Sequence, residues 1–347
     1  MKIKDKMYSV VSRGVRLYNR IAFEKQKDSK DLIVFNTASY TDNMGDFIIM
    51  RYCQDVLNEL FGKKNYIDVS THRLPSVKDE EWIKKTKYKF VCGTNLLTSH
   101  IEKWWNWCLP AGFRKKLVYR NVILLGVGWG EYQDECSKYS QLIYRSMLNP
   151  NVLHAVRDHY TEEKLKTAGI KNVINTGCPT MWNLTPDVCA EIPCRKADKV
   201  ITTITDYRQD IESDNLMLQI LAKNYKTMYI WLQGKKDEEY LQKLNVPENV
   251  IIIPRKLEEY EKVLRHGNID YVGTRLHAGI FALNHCVRSI VIAVDNRAVE
   301  IAKDTNLPIV KRSDISKDLN KKICDQAPID IRIPLNNIKI FKQQFYH

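Results

Sequence analysis

Long apolar runs are missing from this 347-residue chain. The longest, Val122 to Trp129, is interrupted by glycines and falls well short of the roughly 20 residues that cross a bilayer. An integral membrane protein is therefore not expected. Glycine (14) and proline (11) are sparse, which argues against a linker-rich or low-complexity chain. The nine cysteines are scattered from 53 to 324, odd in number and without a close CxxC pair, so neither a disulfide framework nor a zinc ribbon is indicated. Cys53, Cys92 and Cys286 lie within apolar runs, where a thiol behaves as a small buried hydrophobe. The opening MKIKDKMYSVVSRGVRLYNR lacks the continuous apolar core of a secretory signal. Cysteine usage and the missing signal together suggest a cytoplasmic protein. Helix-turn-helix, zinc-finger and ribonucleoprotein-type aromatic motifs are also missing, so no nucleic-acid partner is expected.

What the chain does contain is an ordinary globular composition, 44% hydrophobic, at a length that suits two domains. Its 54 Lys+Arg against 41 Asp+Glu leave a formal charge of +13. Most of that excess is dispersed, as expected of solvated faces and anionic small-molecule sites. Residues 1–30 are the exception, with nine basic and three acidic side chains. There Met7, Val11, Gly14 or Val15, Tyr18 and Ala22 recur at helical spacing, with Val10, Leu17 and Ile21 alongside. Two readings of this basic amphipathic arm stand side by side: peripheral contact with an anionic membrane, or packing on the protein's own body.

Beyond the arm, short β-branched runs alternate with helical patterns, the mark of parallel-sheet α/β architecture. Strands are predicted at Leu32–Asn36, Tyr66–Val69, Phe90–Cys92, Val122–Leu125, Leu153–Val156 and Val173–Asn175. After an aperiodic stretch at Pro179–Pro193 the alternation restarts, with strands at Val200–Thr205, Met228–Gln233, Val250–Ile253, Tyr271–Gly273 and Ser289–Val294. The expected division is an arm (1–30), an N-terminal α/β domain (31–185) and a C-terminal α/β domain (186–347). Ligands of open α/β sheets bind beyond the carboxyl ends of strands, which directs attention to four loops. In Asp42-Asn43-Met44-Gly45-Asp46, glycine permits close backbone approach and the next helix offers free N–H groups. Gly126-Val127-Gly128-Trp129-Gly130 has GxGxG spacing rather than the GxGxxG of a dinucleotide loop, so it reads as backbone crowding at a ligand. Arg157-Asp158 places a planar fork at a strand end, suited to a carboxylate or phosphate. Arg275-Leu276-His277-Ala278, fed by Gly273, sets a fixed cation two residues from a titratable imidazole. His72, His100, His154 and His266 have no motif context. Trp104, Trp105 and Trp107 read either as a sugar or membrane contact or as a packing cluster.

The ordered set Asn43-Met44-Gly45-Asp46, Gly126-Val127-Gly128, Arg157-Asp158, Thr176-Gly177-Cys178-Pro179 and Arg275-Leu276-His277-Ala278 resembles the polysaccharide pyruvyl transferase family, from about Asp31 to about Pro308. The resemblance implies two Rossmann-like domains facing across a cleft, a GT-B-like fold. It also implies transfer of pyruvate from phosphoenolpyruvate to sugar hydroxyls as a ketal, in capsule, exopolysaccharide or cell-wall glycan assembly. Phosphoenolpyruvate would be a co-substrate, with no cofactor and no metal, and the acceptor a sugar or lipid-linked oligosaccharide. On this resemblance His277, Asp46 and Asp158 are the expected catalytic groups. Arg157, Arg275, Leu276, Arg297, Gly126 and Gly128 would bind the donor, and Asn43, Gly45, Asp46 and Trp129 the acceptor. The N-terminal domain is then the acceptor side and the C-terminal one the donor side. Two departures stand out: Cys178 occupies a position where many members have Asp, and Asp295-Asn296-Arg297 one where many have Lys. A nucleotide-sugar glycosyltransferase on the same fold, and a degenerate glycan-binding member, are the alternatives.

Overall fold

A computed structural model describes residues 3–25, 31–62, 64–103, 106–248 and 250–346. Trp104 and Trp105 therefore lie outside the described residues, as does the 26–30 end of the basic arm. The chain forms two compact units. Unit 1 comprises Met1–Thr41, Ile49–Pro179 and Pro334–His347, and unit 2 comprises Asp42–Ile48 and Thr180–Ile333.

Unit 1 is built on a six-stranded parallel sheet of β1 (Asp31–Asn36), β2 (Asn65–Ser70), β3 (Lys89–Cys92), β4 (Val122–Val127), β5 (His154–Val156) and β6 (Val173–Asn175), in the order β2-β1-β3-β4-β5-β6. β3, β4 and β5 are buried throughout, and β1 in all but its first residue. Continuous apolar runs are what a sheet covered on both faces requires. Phe35, Trp107 and Tyr119 form an edge-packed aromatic group in this core, so Trp107 is a packing residue. Helix α1 (Ile3–Lys25) belongs to this unit and packs against the helix Lys138–Met147.

Unit 2 repeats the plan with β7 (Lys199–Thr202), β8 (Thr227–Trp231), β9 (Val250–Ile253), β10 (Ile269–Gly273), β11 (Ser289–Ala293) and β12 (Ile309–Lys311), in the order β12-β11-β10-β7-β8-β9. Read from the other edge, this is the 3-2-1-4-5-6 order of a dinucleotide-binding fold, with its reversal between β7 and β10. β12 was not expected from the sequence; it is a three-residue edge strand directly after Pro308.

The units depart from the expected division at both ends. Residues 42–48 group with unit 2, because the Met44 N–H donates to the Gln233 carbonyl (3.0 Å) and Asp42 pairs with Arg255 (3.2 Å). Residues 334–347 return to unit 1, where the helix Leu335–Gln343 packs on β5 and β6. The stretch after Pro179 holds a capped helix, Pro186–Glu191, rather than an irregular linker.

Candidate functional site

In unit 1 the chain leaves β4 through a register irregularity between Leu125 and Val127. Gly126 is in the left-handed region (φ +69°), with Pro179 where a side chain would stand. Gly128 lies directly under the Arg157 guanidinium, leaving no room for a Cβ. Arg157 follows β5 and is 2% exposed. Its Nε donates to Asp158 Oδ2 (3.1 Å) and its Nη1 to Asn95 Oδ1 (2.7 Å), while Nη2 is buried without a hydrogen-bond partner among the described residues. A buried cationic N–H left unmade is costly, so this nitrogen is poised to donate to a ligand. Asp158 is occupied elsewhere: Oδ1 accepts from the Thr161 N–H (2.8 Å) and hydroxyl (2.6 Å), capping the helix His159–Thr167. It orients Arg157 and has little capacity left for proton transfer. Trp129 is fully buried beside Tyr144, donating from Nε1 to Gln133 (2.9 Å). Its ring offers no face to a sugar.

In unit 2 a denser cluster stands at the β7/β10 reversal. Arg275 precedes the helix Leu276–Leu283 and is almost wholly buried. Its Nε donates to the Ile204 carbonyl (2.9 Å), and Nη2 bridges Asp206 Oδ1 (2.7 Å) and Asp237. Nη1 has no hydrogen bond among the described residues. Burial alone would lower the Arg275 pKa, but Asp237, Tyr207 and Asp206 raise it, fixing the charge. Burial pushes the Asp237 carboxyl upward against the pull of Arg275. Its Oδ2 accepts the N–H groups of Gln233 (3.0 Å) and Gly234 (2.7 Å). Both arginines lie by the Tyr207 ring, Arg275 at 4.9 Å and Arg297 at 5.9 Å from its centre. Arg297 also donates to the Tyr207 hydroxyl (2.7 Å) and pairs with Asp295 (2.5 Å). These two partners raise its pKa although burial opposes them. Gly273 is required because Thr203 N lies 2.6 Å from where its Cβ would be.

The Asn43 loop joins this same cluster. Asn43 Oδ1 accepts from the Gly45 N–H (3.1 Å) and from Gln233 Nε2 (2.7 Å), and a Cβ on Gly45 would stand 2.9 Å from that Nε2. The Gln233 Oε1 is buried without a hydrogen-bond partner among the described residues. Asp46 opens helix α2 (Met44–Phe61), and His277 is the second residue of the helix Leu276–Leu283; both are buried. Leu276 is buried at the start of the same helix.

Asn43, Gly45, Arg275 and Arg297 are thus brought together within unit 2, while Gly126, Gly128, Arg157, Asp158 and Trp129 gather in unit 1. Sequence reasoning missed Asn95, Asp206, Tyr207, Gln233 and Asp237. All five follow strand carboxyl ends (β3, β7 and β8), the signal that would have found them. Cys178 is buried near Cys53, a thiol whose pKa is pushed strongly upward by burial, with Cys92 adding to it.

Two Rossmann-type six-stranded parallel sheets, each with an arginine just beyond a strand end, define a protein of the GT-B fold class. The UDP-GlcNAc 2-epimerase of Methanocaldococcus jannaschii, solved with UDP-GlcNAc and UDP, shares this fold at a TM-score of 0.54 and 11% identity, over 91% of this chain and 99% of that one. Two other similar structures are a lipopolysaccharide outer core galactosyltransferase (TM-score 0.46, 12% identity, 91% and 95% covered) and the UDP-GlcNAc 2-epimerase of Neisseria meningitidis (0.44, 12%, 90% and 98%). No curated protein sequence matches the chain significantly. The family model for polysaccharide pyruvyl transferase matches residues 43–296, and the chain belongs to that family.

Proposed function

We propose that the protein transfers the pyruvyl group of phosphoenolpyruvate to a sugar of a bacterial capsule, exopolysaccharide or cell-wall glycan, forming a ketal. The observation carrying this reading is the pairing of Arg275 with Arg297 around Tyr207 at the sheet reversal, with His277 two residues on. Phosphoenolpyruvate brings a phosphate and a carboxylate on three carbons, and fixed guanidinium groups are the natural partners of both. In the first step a sugar hydroxyl oxygen adds to C2 while C3 takes a proton. In the second a neighbouring hydroxyl adds to C2 as the C2–O bond to phosphate breaks. The hydroxyl protons leave and phosphate departs, so the bonds balance without a redox partner. His277 is the acid/base for these transfers, and Asp46 the second candidate. Asp158 is better described as a positioning residue for Arg157.

The decisive experiment incubates the purified protein with phosphoenolpyruvate and candidate acceptor sugars and reads the product by mass spectrometry. A pyruvate-sized increment with release of inorganic phosphate is expected. A hexose increment from a nucleotide sugar would replace this reading with glycosyl transfer. Arg275→Ala would strand Asp206 and Asp237, a change that commonly costs about 3–5 kcal/mol. Arg275→Lys is therefore the better variant: it keeps the charge and removes the fork. It should weaken phosphoenolpyruvate binding in calorimetry, and unchanged affinity would remove Arg275 from the site.

A further inference from the structure

Helix α1 keeps a row of large apolar side chains on the face it turns to solvent. The row it turns inward mixes polar and apolar groups: Ser12, Asn19 and Phe23 are buried, and Tyr8, Val15 and Ala22 are half-buried. Asn19 Nδ2 donates to the Ser146 carbonyl (2.8 Å), and the Asn19 backbone carbonyl accepts from Asn121 Nδ2 (3.2 Å). At 100° per residue the opposite face carries Met7, Val10, Leu17, Tyr18 and Ile21, all exposed, with Val10 at 68% and Leu17 at 61%. A surface helix ordinarily buries its apolar stripe. Here that stripe is directed outward.

The flank of the same helix forms one wall of a cleft of about 450 Å³, lined by Arg13, Arg16, Arg20, Arg145 and Lys171 and by no acidic residue. The bonds these arginines make go to neutral acceptors. Arg16 Nη2 donates to Asn172 Oδ1 (2.8 Å), Arg20 Nε to Asn151 Oδ1 (3.0 Å) and Arg145 Nε to the Ala168 carbonyl (3.0 Å). Asp5 lines the adjoining hollow, and Glu24 accepts from Asn151. Neither forms an ion pair with the five cations among the described residues. The group is self-repelling: burial lowers the Arg16 pKa and Arg145 and Arg20 add to it, while Arg145 is lowered by burial and by Arg13.

We propose that α1 docks on an anionic bilayer, its outward apolar row entering the headgroup boundary and the arginine cleft taking a lipid phosphate. The two features lie on adjacent faces of one helix, as interfacial binding requires. At about 1.5 Å per residue its 23 residues would lie along some 35 Å of surface. No helix among the described residues is long and apolar enough to cross a membrane, so the contact is with the surface. This inference does not depend on the donor chemistry, since neither α1 nor the cleft contributes to the clusters at the strand ends.

Flotation of the full chain with phosphatidylcholine vesicles, with and without phosphatidylglycerol, tests it. Binding should require the anionic lipid and weaken with salt, because exposed charges are screened over about 8 Å at physiological ionic strength. The combined Arg13→Gln, Arg16→Gln and Arg20→Gln variant should bind roughly 100-fold more weakly, each basic residue near such a surface being worth about a factor of five. Leu17→Asn with Ile21→Asn alters only exposed positions, so the fold is kept and the apolar contribution is read separately; it too should release the protein. A wild-type chain that never floats overturns the proposal. Flotation that survives either variant also overturns it, as does inorganic pyrophosphate binding the cleft in solution while the vesicles bind nothing.

Discussion

Arg157 and Arg275 meet the same problem, a guanidinium taken out of water, in two ways. Arg275 is held by two carboxylates and a backbone carbonyl, and one nitrogen is left without a hydrogen bond among the described residues. Arg157 has one carboxylate and one amide, and Nη2 is left buried and unmade among the described residues. Neither side chain is free to swing; each presents a single pre-positioned donor, which spares the entropy of ordering it when a ligand arrives. His277 differs because the proposed reaction asks it to change protonation. His277→Asn keeps one hydrogen-bonding group and removes the titration. Turnover should fall about 10²–10⁴-fold, while phosphoenolpyruvate affinity changes far less than in Arg275→Lys. Ketal formation at a near-normal rate would assign the proton transfer elsewhere, with Asp46 the next candidate.

Among the elements, β5 carries an acid-labile link that its sequence does not advertise. His154 is fully buried; its Nδ1 accepts the Leu124 N–H (3.3 Å), so the Nε2 proton faces the Asn149 carbonyl (3.0 Å). Burial holds its pKa down to about 3 from an ordinary 6.5, although the bond to Asn149 works the other way. The folded protein thus keeps the imidazole neutral, and below pH 6.5 only the unfolded chain takes the proton. The stability this contributes is complete above pH 6.5 and drains away as pH falls toward 3, on the order of 5 kcal/mol in all. Urea unfolding at successive pH values should show the loss, and His154→Gln should flatten it; an identical slope in the variant would place the acid sensitivity in other groups. The strands themselves were legible because β-branched runs buried on both faces leave little ambiguity. β12 escaped because three residues at a sheet edge carry no period. The site was half legible. Arginine, histidine and glycine at strand ends announce themselves, but Asp206, Asp237 and Gln233 matter through what they hold, and only folding brings residue 43 beside residue 233. Likewise α1 was read correctly as helical and amphipathic, yet which face turns inward follows from the hydrogen bonds of Asn19, not from hydrophobic spacing.

Across the whole molecule, each unit has its own apolar core, but their boundaries in the chain are interleaved. Unit 1 depends on its last segment. Phe345 packs against Phe61 (5.4 Å), Tyr88 (6.1 Å), Phe90 (5.6 Å) and Phe341 (5.4 Å). Gln344 bonds both the N–H (2.7 Å) and the carbonyl (3.0 Å) of Leu153, and Lys342 pairs with Glu59 (2.6 Å). Loss of one buried Phe side chain costs about 3–5 kcal/mol, a large share of the 5–15 kcal/mol that typically separates folded from unfolded. A chain ending at Ile333 should therefore lose the calorimetric transition of unit 1 while retaining that of unit 2. Phe341→Ala with Phe345→Ala should lower the same transition in the full chain. Loss of both transitions together in the truncated chain would show that the two units unfold as one.

The return of residues 334–347 to unit 1 also sets an order of events on the ribosome. Unit 2 emerges complete while unit 1, begun first, still lacks Phe341 and Phe345. At 5–20 residues per second, the intervening Thr180–Ile333 segment takes roughly 10–30 s to make. Throughout that interval Phe61, Tyr88 and Phe90 lack the cover that Phe345 gives them. The half of the chain that is made first is therefore the last to complete its core.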